Sequence, residues 1–369
     1  MGNSTPAIQP QRVRQLLRRL IDIYSPSGKE REILDFLAGY LKKHGLRPIR
    51  QPVDDHRYNL VVVPPDTDVQ LALLGHVDTI GAYDLDHYEC VEKGDLFYGL
   101  GACDMKGGCA AMVEAYLAMY ESHPSPRGVA LAFVIGEEEE GDGASELVKD
   151  FHFPWALIGE PTDLRPCLSN YSYLEMHICV CGERIHASLA NKRKNPIESI
   201  LRLILEITGY LEQEQTEAVY NIRDLFSSQA GFAVPDRCEA WLDIHLPPTA
   251  PMGDIILGLE DIPAMSGEEH SGLDVTMRFV TIDAGYELPE KGPVVEALKA
   301  VYARHSLAWA PQAFRSHSDA NQLWEAGILP ILLGPGQLEK AHVPEESVSF
   351  EQVCRAAALY LDLMLYLRA

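Results

Sequence analysis

Five short segments of the chain place histidine or acidic side chains beside glycine, each after an apolar run typical of a buried strand. Imidazole and carboxylate groups without thiolates suit zinc, cobalt or manganese in a hydrolytic site that keeps room for water. A carboxylate that binds no metal can move protons to and from that water. The segments are GHVDT at 75–79, GLGACDMKGG at 99–108, IGEEEEGDG at 135–143, LIGEPT at 157–162 and LGPGQLEKAHVPEE at 333–346.

His76 and Asp78 lie near the end of the first segment, and residues two apart in an extended chain face the same side. His76 could therefore bind a metal while Asp78 holds the imidazole or a neighbouring group in place. An HxD pair is a weak signal by itself, because a lone histidine at a strand end is more often a structural residue.

Glycines surround Asp104 in the second segment, just before a predicted helix. Such a loop lets the backbone approach a charge closely, and the two oxygens of a carboxylate can bridge two cations. A phosphate-binding loop is the alternative interpretation. The glycine spacing disfavours it, since it fits neither GxGxxG nor GxxxxGKS/T.

Four consecutive glutamates occupy 137–140 in the third segment. A charge run of this kind is usually a solvated loop. Two adjacent carboxylates can instead divide the work, one binding a metal and the other taking a proton from water. Glu160 and His342, in the last two segments, also have ordinary explanations when each is taken alone. All five segments together, each following a predicted strand, favour one shared site.

The elements that must position these segments alternate between strands and helices. Aliphatic and β-branched runs predict strands at 59–63, 69–74, 129–135, 155–158 and 329–333. Apolar residues at helical spacing predict helices at 13–24, 30–45, 106–120, 293–305 and 350–368. This alternation predicts an α/β sandwich with a mostly parallel sheet, whose strand ends are where active sites form.

A different pattern begins at about Tyr171. The alternation YLEMHICVCG is followed by a predicted amphipathic helix at 196–212 and by further strands at 238–245 and 273–280. These features predict an α+β unit that is inserted into the first domain.

The chain length supports this division. Its 369 residues exceed the usual size of one hydrophobic core, so two domains are expected. We place the metal-binding domain at 1–170 and 286–369 and the inserted domain at 171–285.

The charge and the apolar pattern restrict the partners and the compartment. The formal charge of −23, from 31 basic and 54 acidic residues, would repel phosphate backbones and anionic lipids, so nucleic-acid and membrane partners are not expected. No apolar run reaches the roughly 18 residues that span a bilayer, and the N-terminal segment lacks the apolar core of a signal peptide. We expect a cytoplasmic protein whose eight cysteines, which show no CxxC spacing, remain reduced.

Taken in order, the segments GHVDT, GACDMKGG, GEEEEGDGA, GEPTD and AHVPEE resemble those of the zinc aminoacylase family of two-metal metallopeptidases. That family includes acetylornithine deacetylase, succinyl-diaminopimelate desuccinylase and bacterial glutamate carboxypeptidases. The resemblance runs from about Ser25 to the C-terminus. It implies two divalent metal ions per chain, with zinc expected first and cobalt or manganese as alternatives.

The resemblance also implies a set of metal ligands. His76 and Glu160 would complete one metal site. Glu138 and His342 would complete the other, with Asp104 bridging the two ions.

The remaining catalytic roles follow from the same resemblance. Glu137 would be the general base that activates a water between the ions, and Asp78 would support His76. A histidine of the inserted domain, which in this family often comes from the other subunit of a dimer, would stabilise the oxyanion. His186 matches that position and Asn195 matches a nearby asparagine, although a surface histidine without a catalytic role is the alternative. The resemblance implies that the inserted domain is a lid or dimerisation domain, and a homodimer formed through it is a hypothesis that depends on the same match.

Two positions depart from the family pattern. Phe232 stands where relatives commonly carry asparagine, and His245 where they commonly carry arginine. Arginine binds a carboxylate bidentately, whereas histidine does so weakly and only when protonated. The match therefore does not predict how a substrate α-carboxylate is held. Arg315 could compensate, as could the backbone amides of Gly334 and Gly336.

Three hypotheses about function follow. The first is a metal-dependent hydrolase that cleaves the amide bond of a small N-acyl amino acid, as acetylornithine deacetylase does. The second is a di- or tripeptide exopeptidase, or a carboxypeptidase, with the same metal centre. The third is a homologue that only binds ligands. Glu137 argues against the third, because a binding protein has no need of a carboxylate that binds no metal.

Overall fold

The computed structural model describes residues 6–64, 68–122, 128–192, 194–215, 217–265 and 272–368, which divide between two compact units. The first unit contains the described residues within 6–169, 288–314 and 318–368. The second contains those within 170–287 and 315–317.

Helices and strands alternate in the first part of the chain. The helices are α1 (Pro10–Ile21), α2 (Arg31–Lys43), α3 (Gly107–Ser122) and α4 (Asp142–Asp150). The strands are β1 (Ile49–Pro52), β2 (Tyr58–Val62), β3 (Leu71–His76), β4 (Val91–Lys93), β5 (Leu96–Tyr98), β6 (Val129–Val134), β7 (Trp155–Ile158) and β8 (Cys167–Asn170).

The second unit and the returning chain complete the set of elements. The second unit contains β9 (Ser172–Cys181), β10 (Ile185–His186), α5 (Pro196–Glu214), β11 (Val219–Ser227), β12 (Ala233–Val234), β13 (Arg237–Leu246), α6 (Met252–Met265), β14 (Asp274–Asp283) and β15 (Tyr286–Glu287). The chain then forms α7 (Pro293–Arg304), β16 (Gln312–Phe314), α8 (Asp319–Glu325), β17 (Leu329–Leu332), β18 (Ser347–Ser349) and α9 (Phe350–Arg368).

The main sheet of the first unit has the strand order β1-β2-β6-β3-β7-β17-β8, and β16 also pairs with β8. The central strands β6, β3, β7 and β17 are parallel, whereas β1, β2 and β8 join antiparallel. His76 lies opposite Val134, and Leu74 lies opposite Ile158, so the carboxyl ends of these strands meet at one edge. The α/β fold class with a mostly parallel sheet is confirmed.

Helix α3 is enclosed by the first unit. Its residues from Gly107 to Met119 are buried, as expected for a helix whose residues are apolar except for Glu114, and it packs against α9. A Cβ atom at Gly108 would lie 2.2 Å from the carbonyl oxygen of Gly159. Glycine at this position therefore allows the start of α3 to lie directly against the end of β7.

A separate three-stranded antiparallel sheet, ordered β18-β5-β4, also belongs to the first unit. Ser347 lies opposite Tyr98 in this sheet. The pairing joins two segments that are far apart in sequence, and the sequence patterns did not predict it.

The second unit contains an antiparallel sheet with the order β11-β13-β9-β14, which accounts for the alternating pattern after Tyr171. Four alternate residues of β9 are buried in one core: Leu174, Met176, Ile178 and Val180. That core also includes apolar side chains of α5 and α6. Within the described ranges of both units, no helix combines the length and the apolarity that a bilayer crossing requires.

Candidate metal centre

Histidine and acidic side chains gather where the parallel strands of the first unit end. Most of them are buried, although the His342 side chain is half-exposed. They are His76 at the end of β3, Glu137 and Glu138 after β6, Glu160 after β7, Asp104 between β5 and α3, and His342 after β17.

Two groups of three ligand-type residues lie in this cluster and share Asp104. The first group is His76, Asp104 and Glu160, and the second is Asp104, Glu138 and His342. Within each group, one ligand atom from every residue lies within 4.8 Å of the others. The structure thus brings together all five residues that the sequence predicted as metal ligands.

The interatomic distances place Asp104 between the two histidines. The Nε2 atom of His76 lies 3.1 Å from Asp104 Oδ1 and 3.8 Å from Glu160 Oε1. The Nε2 atom of His342 lies 2.9 Å from Glu138 Oε2 and 3.6 Å from Asp104 Oδ2. Because its two oxygens face different histidines, Asp104 has the arrangement that a bridging carboxylate requires.

Asp78 connects three segments around His76. Its Oδ2 atom accepts hydrogen bonds from the Ser27 hydroxyl at 2.8 Å and from the Glu138 amide at 3.0 Å. The Nδ1 atom of His76 lies 3.1 Å from the Asp78 carbonyl oxygen and 3.6 Å from Asp78 Oδ1. Burial opposes ionisation of Asp78, but these hydrogen bonds and the charge of His76 outweigh it and lower its pKa. The Nδ1 atom of His76 thus faces Asp78, and its Nε2 atom faces the cluster.

The cluster carries an excess of acidic groups. Burial raises the pKa of Glu137 and of Glu160 well above the usual carboxyl value, and neighbouring carboxylates raise both further. Burial lowers the pKa of both histidines, but the nearby carboxylates outweigh it, raising the pKa of His76 and bringing that of His342 to about 9. Buried negative charge without compensation is costly, so this composition favours bound cations.

The donor set fits divalent ions that accept nitrogen and oxygen ligands. The buried Oε1 atom of Glu160 has no hydrogen-bond partner among the described residues. Two nearby thiols point elsewhere, since Cys103 Sγ donates to the Gln337 carbonyl and Cys109 Sγ to the His76 carbonyl. Burial raises the pKa of Cys109 to about 12 and that of Cys103 well above its usual value, so neither offers a thiolate.

The glutamate run at 137–140 separates into two pairs. Glu139 and Glu140 are exposed, as a solvated charge run predicts. Glu137 is 9% exposed, and its Oε2 atom lies 3.8 Å from His76 Nε2 although Glu137 belongs to neither ligand group. Its position beside the ligands, but outside them, suits a proton carrier.

The other predicted site residues of the second unit have contacts within that unit. His186 is exposed, and its Nδ1 atom lies 2.8 Å from the Ser188 hydroxyl. Asn195 caps α5 by accepting a hydrogen bond from the Ile197 amide at 2.9 Å. Its side chain therefore has a structural role in the helix.

The side chains considered for binding a substrate α-carboxylate differ in their exposure to solvent. His245 packs against the ring of Tyr173, and burial lowers its pKa, so it is neutral near pH 7. Arg315 and Phe232 are exposed.

The two glycine amides that we considered as carboxylate ligands both have acceptors inside the chain. The Gly334 amide donates to Thr162 Oγ1 at 3.1 Å, and the Gly336 amide donates to Gln352 Oε1 at 2.8 Å. Neither amide is therefore left without an acceptor for a substrate carboxylate to satisfy.

Asp319 is a functional candidate that the sequence analysis did not identify. It is fully buried at the start of α8, and neither carboxylate oxygen has a hydrogen-bond partner among the described residues. Burial raises its pKa to about 7, and its charge in turn raises the pKa of Glu137 and Glu160. The Ser-Asp-Ala-Asn sequence at 318–321 is typical of a helix start. That local pattern explains the acidic residue without a metal centre, so the sequence gives no sign of a role for Asp319 there.

Comparison with known proteins identifies relatives across most of the chain. The family model described as Peptidase family M20/M25/M40 matches residues 72–366. An acetylornithine deacetylase from Pasteurella multocida (strain Pm70) is 27% identical over 348 residues, which cover 87% of each chain.

Solved structures with the same fold include a tripeptidase from Staphylococcus aureus, with a TM-score of 0.83, 20% identity and coverage of 98% of this chain and 100% of that chain. A dinuclear metal binding peptidase from Bacillus subtilis, described as a member of family M20, has a TM-score of 0.68, 14% identity and coverage of 98% of both chains. At these identities the structural matches show the shared fold.

Proposed function

The chain belongs to Peptidase family M20/M25/M40, a family of metallohydrolases, and we propose that it hydrolyses the amide bond of a small N-acyl amino acid with the help of two divalent metal ions. The observation that carries this proposal is the pair of ligand groups that share Asp104 beside the non-ligating carboxylate of Glu137. The curated relative named acetylornithine deacetylase supports the deacylase assignment.

In this proposal zinc is the expected metal. His76 and Glu160 would hold one ion, Glu138 and His342 the other, and Asp104 both. Nitrogen and carboxylate oxygen ligands also admit cobalt or manganese. When bound, the ions would polarise the scissile carbonyl and make the attacking water easier to deprotonate.

The side chains around the ligands supply the proton transfers. Glu137 would take the proton from water and later give it to the leaving nitrogen, a role that its position beside the ligand groups but outside them suits. Asp78 would keep the Nδ1 atom of His76 engaged, so that Nε2 remains directed toward the metal.

We assign to His186 the stabilisation of the oxyanion, acting from the partner subunit of a homodimer. Its side chain is exposed, so a substrate bound to a partner subunit can reach it. The second unit also presents the edge strand β11, whose exposed apolar side chains are suited to self-association: Val219, Ile222, Leu225 and Phe226.

Replacing His186 by alanine is expected to lower kcat by about 10²- to 10³-fold, the usual effect of losing an oxyanion donor. Mixing His186→Ala protein with inactive Glu137→Ala protein should then restore part of the activity, because a mixed dimer contains one complete site. Ser188→Ala, which removes only the hydroxyl beside His186, is the matched control. No recovery after verified subunit exchange would exclude action from the partner subunit.

The substrate prediction is tested by comparing kcat/KM for N-acetyl amino acids, N-succinyl amino acids, dipeptides and tripeptides. We expect the N-acyl amino acids to be preferred by at least about tenfold, or ~1.4 kcal/mol of transition-state stabilisation. His245 is neutral near pH 7 and cannot attract the substrate carboxylate by charge. We assign that contact to Arg315, whose side chain is exposed, and Arg315→Ala should raise KM for these substrates more than it lowers kcat.

Preferential cleavage of peptides in the same assay would instead favour the exopeptidase hypothesis. That second function would use the same metal centre, and the tripeptidase from Staphylococcus aureus has the same fold over 98% of this chain. Equal KM values for wild-type protein and Arg315→Ala would remove Arg315 from the substrate site.

A further inference from the structure

Glu346 is a buried carboxylate beside the metal centre that belongs to neither ligand group. It is 4% exposed and follows His342 by four residues. A buried carboxylate needs hydrogen bonds to compensate for lost solvation. The hydrogen bonds that the Glu346 side chain accepts come from the loop that carries Asp104.

Three hydrogen bonds connect the Glu346 side chain to that loop. The Oε2 atom accepts from the Gly101 amide at 2.8 Å. The Oε1 atom accepts from the Cys103 amide at 2.9 Å and from the Asp104 amide at 3.0 Å. The side chain therefore engages both oxygens, and one bond reaches the candidate bridging residue itself.

These bonds begin where the sheet pairing ends. Strands β5 and β18 pair up to Tyr98 and Ser347, and the Gly99 amide then donates to the Glu346 carbonyl oxygen at 3.1 Å. Beyond Gly99 the loop leaves the sheet. Its amides at Gly101, Cys103 and Asp104 then donate to the Glu346 carboxylate and not to a neighbouring strand. The backbone pairing fixes where the loop begins, whereas the carboxylate fixes where Asp104 lies.

Gly101 shows how closely this loop is fitted. Its φ of +74° is in the left-handed region, and a Cβ atom there would lie 2.5 Å from Thr79 Cγ2. With the segment after β3 on one side and Glu346 on the other, the loop has little freedom to move without moving Asp104.

We propose that Glu346 is a positioning residue that sets Asp104 against His342, so that the two oxygens of Asp104 can serve both metal ions at once. This inference rests on the proposed two-metal function. The segment that supplies His342 would thereby also hold Asp104 in place through the Glu346 carboxylate. Because Asp104 belongs to both ligand groups, Glu346 would affect both metal sites.

Glu346→Gln tests the inference, because glutamine has the same shape but only one accepting oxygen. Its NH₂ group would face an amide N–H that now donates, so at least one of the three hydrogen bonds is lost. Glu345→Gln makes the same chemical change at the exposed neighbouring residue and is the matched control.

Metal-free protein should be titrated with Co²⁺, and the visible spectrum, the affinity from chelator competition and the number of bound ions should be measured. We expect Glu346→Gln to bind cobalt about 10- to 100-fold more weakly than wild type, with an altered spectrum, as is typical when a residue that supports a metal ligand is lost. Glu345→Gln should match wild type. Circular dichroism and thermal unfolding of the metal-free proteins report separately on the fold.

Glu346→Asp provides a second variant, since it keeps the charge but withdraws the carboxylate by one methylene group, and it should also bind cobalt more weakly. Wild-type cobalt affinity and spectrum in either folded variant would overturn the positioning role, even if the metal-free protein melts at a lower temperature. If wild-type protein itself bound no cobalt, the two-metal function would fail and this inference with it, so the two failures are distinguishable.

Discussion

Glu137→Gln is expected to lower kcat by about 10²- to 10⁴-fold, the range typical of losing a general base, while the bound metal remains at the wild-type level. Glutamine keeps the size and polarity of the side chain but cannot accept the proton of the attacking water. Glu137 lies outside both ligand groups, so its loss should not release the ions. Steady-state kinetics on an N-acyl amino acid and metal analysis by mass spectrometry measure the two effects.

The neighbouring glutamates provide the control for this prediction. Glu139 is exposed on the same loop, so Glu139→Gln should retain wild-type turnover. Glu138 belongs to a ligand group, so Glu138→Gln should lose metal as well as activity. If Glu137→Gln lost metal in the same way as Glu138→Gln, Glu137 would be a ligand and the base assignment would be wrong.

The sequence could name the candidate ligands because their signal is local. Each of His76, Glu138 and Glu160 lies at the end of an apolar strand or just after it, and parallel strands carry such ends to one edge. Apolar periodicity likewise predicted the central strands and α3 to within a few residues.

The residues that support the ligands could not be predicted in this way. Glu346 reaches Gly101, Cys103 and Asp104 across 242 to 245 positions of the chain, and no local pattern encodes such a pairing. Ser27 reaches Asp78 across 51 positions. These contacts depend on how the finished fold brings distant loops together.

His245 illustrates the same limit for electrostatics. Its alternating sequence context predicts a strand, and β13 is observed there. Its neutral state, however, follows from burial and from packing against Tyr173, which depend on the pairing of β13 with β9. Residue type and spacing alone do not determine protonation state.

Removal of the metal is expected to abolish activity and to make stability fall as pH rises. Without cations, the cluster keeps several carboxyl groups in a buried and mostly acidic environment. Activity should return when zinc or cobalt is added back at neutral pH. In the metal-loaded protein the ligands stay ionised, so its stability should change much less over the same pH range.

The direction of this pH effect follows from which state holds more protons. The pKa of Asp319 is raised from its usual 3.8 to about 7, so between these values the folded state keeps a proton that the unfolded chain releases. The free energy of unfolding therefore decreases as pH rises through this window, by at most about 4 kcal/mol from this group. The pKa of His342 is raised from 6.5 to about 9, so between these values the folded state keeps a proton that the unfolded chain releases. The free energy of unfolding therefore continues to decrease as pH rises from 6.5 to about 9.

Urea denaturation at pH 5, 6.5 and 8, with and without bound metal, measures the effect. Asp319→Asn should make the decrease between pH 5 and 6.5 smaller in the metal-free protein, because an amide does not titrate. A decrease from the other buried carboxyl groups, including Glu346 with its pKa raised to about 7, should remain. Asp78 and Asp104 have lowered pKa values and act in the opposite direction, but only below about pH 4, outside this range. Stability of the metal-free protein that stayed constant or increased from pH 5 to 8 would mean that the buried carboxyl groups are ionised without metal, and that the cluster does not need cations to hold its charge.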